Sequence, residues 1–292
     1  MLHKWLSLLL VGLLPLSAAA GEIHQEKSLY RNILVYEEQG VRCMKFGVHD
    51  SGRQTCVSLD NPDALVFEYT KMLLGALYLK PAPKTVLVIG LGGGTIPATL
   101  QKIRPDIQID CVEIDPAVVR VAKKYFNFSG EGMNLFVEDG RVFVKHLLRQ
   151  KRKYDLVILD AFDHISVPEH MTTKEFLQEV RGILQPDGVL AANTFSMGKF
   201  YPSESATYSA VFGTYFNLRR NNRIVLLKND GLPGMEEIKR NAEGVEKQLQ
   251  RFATSKEWLL PLFSTEVQWP EGTRVLTDQY SPSNLLNSAE SL

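Results

Sequence analysis

The chain has no excess of either charge, no internal repeat and no low-complexity tract. Its 292 residues carry 33 Lys and Arg against 33 Asp and Glu, a formal net charge of zero. This balance gives no indication of nucleic acid or another polyanion as a partner. The six His residues show no spacing typical of metal ligands, so no metal site is predicted.

Long hydrophobic runs are also missing, apart from one near the start. The run Trp5–Leu16 follows two polar residues, and small residues continue from it to Gly21. It is too short for a comfortable membrane span. We expect residues 1–20 to be a secretory signal cut after Ala20, so that the protein is exported to the periplasm or secreted. An uncleaved anchor over residues 5–20 and a buried N-terminal helix are the alternatives.

Cysteine is scarce, with three residues in the chain. Cys43 and Cys56 flank a turn between Val41–Gly47 and Gln54–Leu59, and both segments alternate as hairpin strands do. Facing cysteines in an exported protein can form a disulfide. The pattern leaves a Cys43–Cys56 disulfide and two free thiols both open.

The most informative segment is an apolar run that ends in a glycine cluster. Val86–Ile89 supplies the side chains of a buried parallel strand. The glycines after it let the chain turn sharply and let a ligand approach the backbone: Gly90, Gly92, Gly93 and Gly94. No Lys or Arg lies between Gly90 and Gln101. A nucleoside without a phosphate therefore fits better than ATP, and a dinucleotide is the alternative.

Acids follow the next three predicted strands. The strands are Ile107–Glu113, Asn134–Glu138 and Tyr154–Leu159, and the acids are Glu113, Asp139 and Asp160. Because ligands of open α/β sheets bind outside the carboxyl ends of the strands, we expect these acids and the glycine cluster to share one crevice.

The expected roles of the acids differ. Glu113 is expected to accept hydrogen bonds from ribose hydroxyls. Asp139, which precedes Gly140, can accept from an adenine amino group or cap the next helix, and both roles stay open. Asp115, followed by Pro116, is predicted to be the N-cap of a helix over Ala117–Phe126.

These motifs together resemble the spermidine/spermine synthase family, the polyamine aminopropyltransferases, which share the fold of class I AdoMet-dependent methyltransferases. The resemblance spans roughly Ser28 to Asn229. It depends on Val86–Thr95, Val112–Asp115, Glu138–Gly140, Tyr154–Asp163 and a weakened form of the family's Tyr-His-Glu-Met-Leu helix at Phe67–Leu73.

The resemblance implies an α/β, Rossmann-like fold. Its doubly wound sheet is mostly parallel with an antiparallel last strand, and a small N-terminal β-domain precedes it. The expected divisions are the signal or anchor, the β-domain, the catalytic domain, and a C-terminal helix and tail, over residues 1–20, 21–62, 63–232 and 233–292. Two C-terminal features are predicted by pattern: Gly234–Phe252 as a solvated peripheral helix, and a surface turn holding Asp278 and Tyr280, with the pocket rim as the alternative.

The resemblance also implies a reaction. An aminopropyl group moves from decarboxylated AdoMet to an amine such as putrescine, leaving methylthioadenosine, and no metal is required. The family's catalytic acid falls on Asp160, expected as the general base, and its second acid on Asp163. A strand-end acid and a helix cap are the alternative roles. The donor would be held by Gly90, Gly92, Gly93, Gly94, Glu113, Asp139, Gly140 and Asp160. A small amine acceptor and a homodimer are the expected partners.

The chain departs from the family in three places. Gly93 replaces an Asp that pairs with the donor's amine, and that Asp would repel the carboxylate of intact AdoMet. Thr70 and Lys71 replace a His and a Glu, and Lys71 has the wrong sign for a polyamine pocket. Asn193–Met197 replaces an acidic substrate loop. A small-molecule methyltransferase using AdoMet and a non-catalytic nucleoside-binding protein therefore remain as alternative functions.

Overall fold

The computed structural model describes residues 21–47, 52–161 and 168–288. The predicted signal segment and Asp163 lie outside these residues. None of the helices within the described ranges is long and apolar enough to cross a membrane.

A four-stranded antiparallel sheet forms the N-terminal region. Its strands follow one another in chain order: β1 (Gly21–Lys27), β2 (Asn32–Glu38), β3 (Val41–Phe46) and β4 (Arg53–Ser58). Cys43 and Cys56 are directly opposed across β3 and β4 and form a disulfide, which confirms the first of the two options. The hairpin alternation placed both sulfurs on one face of the sheet.

The second sheet has seven strands in the order β7-β6-β5-β8-β9-β11-β10. The strands are β5 (Thr85–Ile89), β6 (Gln108–Glu113), β7 (Met133–Val137), β8 (Tyr154–Leu159), β9 (Leu184–Phe195), β10 (Phe216–Arg219) and β11 (Asn222–Lys228). Strands β5 to β9 pair in parallel, and β11 runs antiparallel to both of its neighbours. The predicted doubly wound, mostly parallel sheet is confirmed.

Helices cover both faces of this sheet. They are α1 (Glu68–Leu73), α2 (Ala76–Leu79), α3 (Thr95–Ile103), α4 (Pro116–Tyr125), α5 (Gly140–Arg149), α6 (Lys174–Gly182), α7 (Phe200–Phe212), α8 (Met235–Gln250), α9 (Lys256–Leu259) and α10 (Ser283–Ser288). Alternate side chains of β5 enter two separate cores: Val86 and Val88 join one, and Leu87 and Ile89 join the other. Burial on both faces explains why this strand is apolar at every position.

The small sheet packs on α4. Ile33, Val35 and Met44 share a core with Val118 and Val121 of that helix. Asp115 caps α4, because its Oδ1 accepts a hydrogen bond from the Ala117 N–H at 2.8 Å, as predicted. Its Oδ2 accepts from the Ser28 hydroxyl at 2.5 Å. Because β4 pairs with β3, these contacts also place β4 beside the loop that follows β5.

Helix α8 differs from its prediction. Its charged residues face outward, but Ile238, Ala242, Val245 and Leu249 are buried in the main core. Their spacing of three to four residues places them on one side of the helix. The interpretation of this segment as a solvated peripheral helix was wrong for that face, because the high charge content masked an apolar stripe.

Candidate active site

A cavity of about 1090 Å³ lies at the carboxyl ends of β5, β6, β8 and β9. The residues expected at the site that line it are Gly90, Gly92, Gly93, Glu113, Asp139, Gly140 and Asp160. Gly94 does not line the cavity; it is the N-cap of α3. The predicted convergence of the glycine loop and three strand-end acids is therefore present, while Asp163 lies outside the described residues.

Two glycines of the loop are required by close approaches. A Cβ on Gly90 would lie 2.2 Å from the Asp160 carbonyl oxygen, so only glycine allows β5 and β8 to end this close together. Gly94 has φ +76°, and a Cβ there would lie 2.3 Å from the ring of Phe128. Gly94 thus shapes the start of α3 rather than the cavity wall.

Glu113 fixes the backbone of the glycine loop by hydrogen bonding. Its Oε2 accepts from the Leu91 N–H at 3.0 Å, and its Oε1 accepts from the Asp115 N–H at 3.0 Å. Burial raises the pKa of Glu113, and these two amide hydrogen bonds oppose the shift. A carboxylate has about four lone-pair sites, so the side chain retains acceptor capacity toward the cavity.

Asp139 has two partners. Its Oδ1 accepts a hydrogen bond from the Val142 N–H at 2.9 Å, so Asp139 caps α5. The capping role was one of the two roles predicted for this residue. Its Oδ2 lies 2.9 Å from Nε2 of His170, which also lines the cavity. A Cβ on Gly140 would lie 2.5 Å from Cγ2 of Ile89, so glycine lets α5 start directly against β5.

Asp160 lies at the end of β8, half-buried in the cavity wall. Its Oδ1 accepts from Nδ2 of Asn193 at 2.9 Å, and it also accepts a hydrogen bond from the hydroxyl of Tyr69. Burial raises the pKa of Asp160 to about 7, the two hydrogen bonds oppose the rise, and the charge of Glu113 adds to it. A carboxyl group with this pKa can accept a proton near neutral pH.

Tyr69 and Asn193 are the site residues whose role the sequence did not reveal. Burial and then the charge of Asp160 raise the pKa of Tyr69 well above its usual range, so the phenol keeps its proton and donates to Asp160. Tyr69 lies in the segment Phe67–Leu73 noted for its family resemblance. The sequence motif therefore indicated that this segment matters, but it did not indicate that Tyr69 contacts Asp160, which lies on another element.

The residues that differ from the family on the side of the amine acceptor occupy different places in the structure. Thr70 lines the cavity, and its hydroxyl donates to the Phe67 carbonyl at 2.7 Å. Lys71 does not line the cavity; it faces a separate depression beside Trp258. Its positive charge therefore does not enter the pocket. Residues 193–197 do line the cavity, although the Thr194 hydroxyl donates to the buried carboxylate of Glu204.

The C-terminal tail docks near the Asp139 end of the cavity. Asp278 accepts two hydrogen bonds from the buried Arg141, at 2.6 and 2.8 Å, and one from Thr173 at 2.7 Å. Arg141 also donates to the His170 carbonyl at 2.9 Å. Thr277 and Tyr280 pair in a tight turn, as predicted, but the turn is anchored to α5 and α6.

Comparison with known proteins agrees with this architecture. Residues 66–209 match the spermine/spermidine synthase domain family. A polyamine aminopropyltransferase of Vibrio vulnificus (strain CMCP6) is 41% identical over 271 residues, which cover 90% of this chain and 91% of the relative. The chain belongs to this family.

Two solved structures extend the comparison. A probable spermidine synthase from Corynebacterium glutamicum ATCC 13032 has a TM-score of 0.65 and 17% identity, covering 87% of this chain and 96% of the other. Human methyltransferase-like protein 13 in complex with SAH has a TM-score of 0.53 and 26% identity, covering 70% and 93%. The first similarity establishes the fold alone.

Proposed function

We propose that this protein transfers an aminopropyl group from decarboxylated AdoMet to a small amine. The observation that carries the proposal is Asp160, whose pKa is raised to about 7 in a cavity bounded by the glycine loop. Membership of a family that includes a polyamine aminopropyltransferase at 41% identity supports the same reaction.

The nucleoside half of the donor fits the β5–β7 side of the cavity. Glu113 offers carboxylate oxygens for the ribose hydroxyls, and Asp139 offers Oδ2 beside His170 for the adenine amino group. Gly90 and Gly92 leave the backbone open to the ligand. The similarity to a methyltransferase solved with SAH supports a donor of this nucleoside class.

The chemistry begins with a proton. An amine is cationic near neutral pH and must lose a proton before its lone pair can attack. Asp160 accepts this proton, while Tyr69 and Asn193 hold its carboxylate in place. The nitrogen forms a bond to the carbon next to the sulfonium, the carbon–sulfur bond breaks, and its electrons neutralise the sulfur. Methylthioadenosine leaves, so the step needs orientation and a base rather than a metal.

The test separates binding from turnover. We expect Asp160→Asn to bind methylthioadenosine within a few-fold of the unaltered protein by calorimetry, but to release product from the decarboxylated donor about 10²–10⁴ times more slowly. A set of diamines and monoamines serves as acceptors. Asp187→Asn, which removes an exposed carboxylate paired with Lys80, is the control and should leave both measurements unchanged. Normal turnover by Asp160→Asn would exclude Asp160 as the base.

Methyl transfer from intact AdoMet is a second candidate. Gly93 favours it because no carboxylate at this position opposes the donor's own carboxylate. The product decides between the two reactions: aminopropyl transfer releases methylthioadenosine, and methyl transfer releases S-adenosylhomocysteine.

We also propose that the protein acts outside the cytosol. The apolar segment Trp5–Leu16 and the Cys43–Cys56 disulfide support export, because disulfides persist in oxidising compartments. Fractionation of cells producing the full chain tests this, and a wholly cytosolic protein with free thiols at both positions would refute it.

A further inference from the structure

Strand β4 of the small sheet meets the glycine loop at Thr55. This residue is 6% exposed and lines the cavity. A Cβ on Gly93 would lie 2.8 Å from Thr55 Oγ1, 2.9 Å from Thr55 Cγ2 and 3.2 Å from Cδ1 of Phe126. Real Cβ atoms essentially never approach this closely, so position 93 has no room for a side chain while Thr55 is present.

Thr55 cannot easily move away. It pairs with Met44 across the hairpin, and the next pair in register is the disulfide-bonded Cys43 and Cys56. The backbone of β4 is therefore tied to β3 at the adjacent residue. Thr55 is a fixed part of the cavity wall.

The wall at this point is hydroxyl-bearing. The Thr55 hydroxyl lies 3.5 Å from that of Thr95, which also lines the cavity. Across the described ranges, neither hydroxyl hydrogen-bonds to a carboxylate. Arg53, two residues before Thr55, also lines the cavity and pairs with Glu38 at 3.0 Å. The charge next to this part of the wall is thus an Arg53–Glu38 ion pair rather than an unpaired carboxylate.

If the nucleoside binds as proposed, this wall faces the end of the donor's sulfur-bound chain, away from the nucleoside. With the base at Asp139, the ribose at Glu113 and the reacting carbon toward Asp160, the rest of the sulfur-bound chain is left for Gly93, Thr55 and Thr95. The inference therefore depends on the proposed function for the donor's position.

We propose that Thr55, by filling the space beside Gly93, keeps a carboxylate out of the subsite for the donor's chain end, so that this subsite does not discriminate between the two donors. A hydroxyl both donates and accepts, so the Thr55–Thr95 pair can serve a donor that ends in an amine alone and one that also carries a carboxylate. A carboxylate in this wall would attract the first and repel the second. The subsite therefore accepts intact AdoMet about as well as decarboxylated AdoMet.

Calorimetry with both donors and with methylthioadenosine tests this. We expect the Kd values of the two donors to differ by tenfold or less in the unaltered protein, and a larger difference would overturn the proposal. In the double variant Thr55→Ala/Gly93→Asp, the shortened residue 55 makes room for the new carboxylate. Its preference for the decarboxylated donor should rise at least tenfold, and an unchanged preference would contradict the proposal.

Two single variants separate space from charge. Thr55→Ser keeps the hydroxyl and should keep the donor ratio, while Gly93→Asp alone should weaken methylthioadenosine binding at least tenfold because the new side chain collides with Thr55. Normal nucleoside binding by Gly93→Asp would contradict the steric coupling. Methylthioadenosine has no chain end, so its binding to the unaltered protein tests the nucleoside pocket separately. If it does not bind there, the proposed function fails; if it binds but the donor ratio is wrong, only this inference fails.

Discussion

Single side chains around the cavity have both structural and chemical roles. Glu113 holds two backbone amides and Asp139 caps a helix, yet both acids line the cavity. The capping role of Asp139 was an open alternative in the sequence, whereas the hydrogen bonds from two backbone amides to Glu113 were not predicted. In both residues the structural role is compatible with the proposed binding role. An acid whose conformation is set by backbone donors is ready to bind without further ordering.

The raised pKa of Asp160 predicts a pH dependence. Because the base must be deprotonated, kcat/KM should rise with pH to a plateau, with a midpoint near 7. The residual activity of Asp160→Asn should lack this rise. A kcat/KM profile for the unaltered enzyme that is flat between pH 6 and 8 would contradict the assignment.

The raised pKa of Asp160 also affects stability. The free energy of unfolding falls as pH rises from 3.8 to about 7, because Asp160 loses its proton at lower pH in the unfolded chain than in the folded protein.

Gly94 offers a test of packing at one residue. Gly94→Ala and Gly272→Ala both place a side chain at positive φ, +76° and +78°, which costs roughly 1–2 kcal/mol each. At Gly272 the new Cβ meets nothing within 4 Å, whereas at Gly94 it meets the Phe128 ring. We expect Gly94→Ala to lose about 1–3 kcal/mol more in urea unfolding. Equal losses would mean that the Phe128 ring moves aside freely.

At the scale of elements, contacts between distant segments organise the site. The tail reaches the Asp139 end of the cavity through Asp278, and α1 reaches Asp160 through Tyr69. The bounds of α4 and β8 followed from local signals, such as the Asp115-Pro116 cap and an apolar run ending in an acid. The partners of these elements did not, because a periodic pattern reports which face is buried and not what covers it.

The tail contact should be measurable. Asp278→Asn weakens a two-point ion pair with Arg141, which is 8% exposed, and we expect a loss of about 1–2 kcal/mol because Asp278 itself is 44% exposed. Amide hydrogen exchange over residues 275–283 should become faster. Glu271→Gln changes an exposed acid in the same tail and should leave exchange there unchanged. Unaltered protection in Asp278→Asn would show that apolar contacts alone hold the tail.

At the scale of the whole molecule, two sheets share one ligand cavity. The small sheet contributes Thr55 and the large sheet contributes the acids and the glycine loop. The packing of β2 and β3 on α4 sets the distance between the two sheets. The stability of the small sheet therefore affects the cavity as well as the fold.

The disulfide gives a test at this scale. For a sequence separation of 13 residues, its removal in Cys43→Ala/Cys56→Ala should cost about 3 kcal/mol of unfolding free energy. A reducing agent should destabilise the unaltered protein and Cys111→Ala, and leave the double variant unaffected. If the reducing agent destabilised all three proteins equally, its effect would not come from breaking the Cys43–Cys56 disulfide.

The sequence by itself determined the parallel strands that lead into the glycine loop and into the three acids, the glycine loop itself and the cap of α4. Each of these depends on residues close together in the chain, where periodicity and backbone geometry act directly. Tertiary structure alone decided that Tyr69 and Asn193 hold Asp160, that Thr55 fills the space at Gly93, and that Asp278 reaches Arg141 from 137 residues away. Such contacts require the packing of separate elements, and side-chain type does not encode which distant partner it will meet.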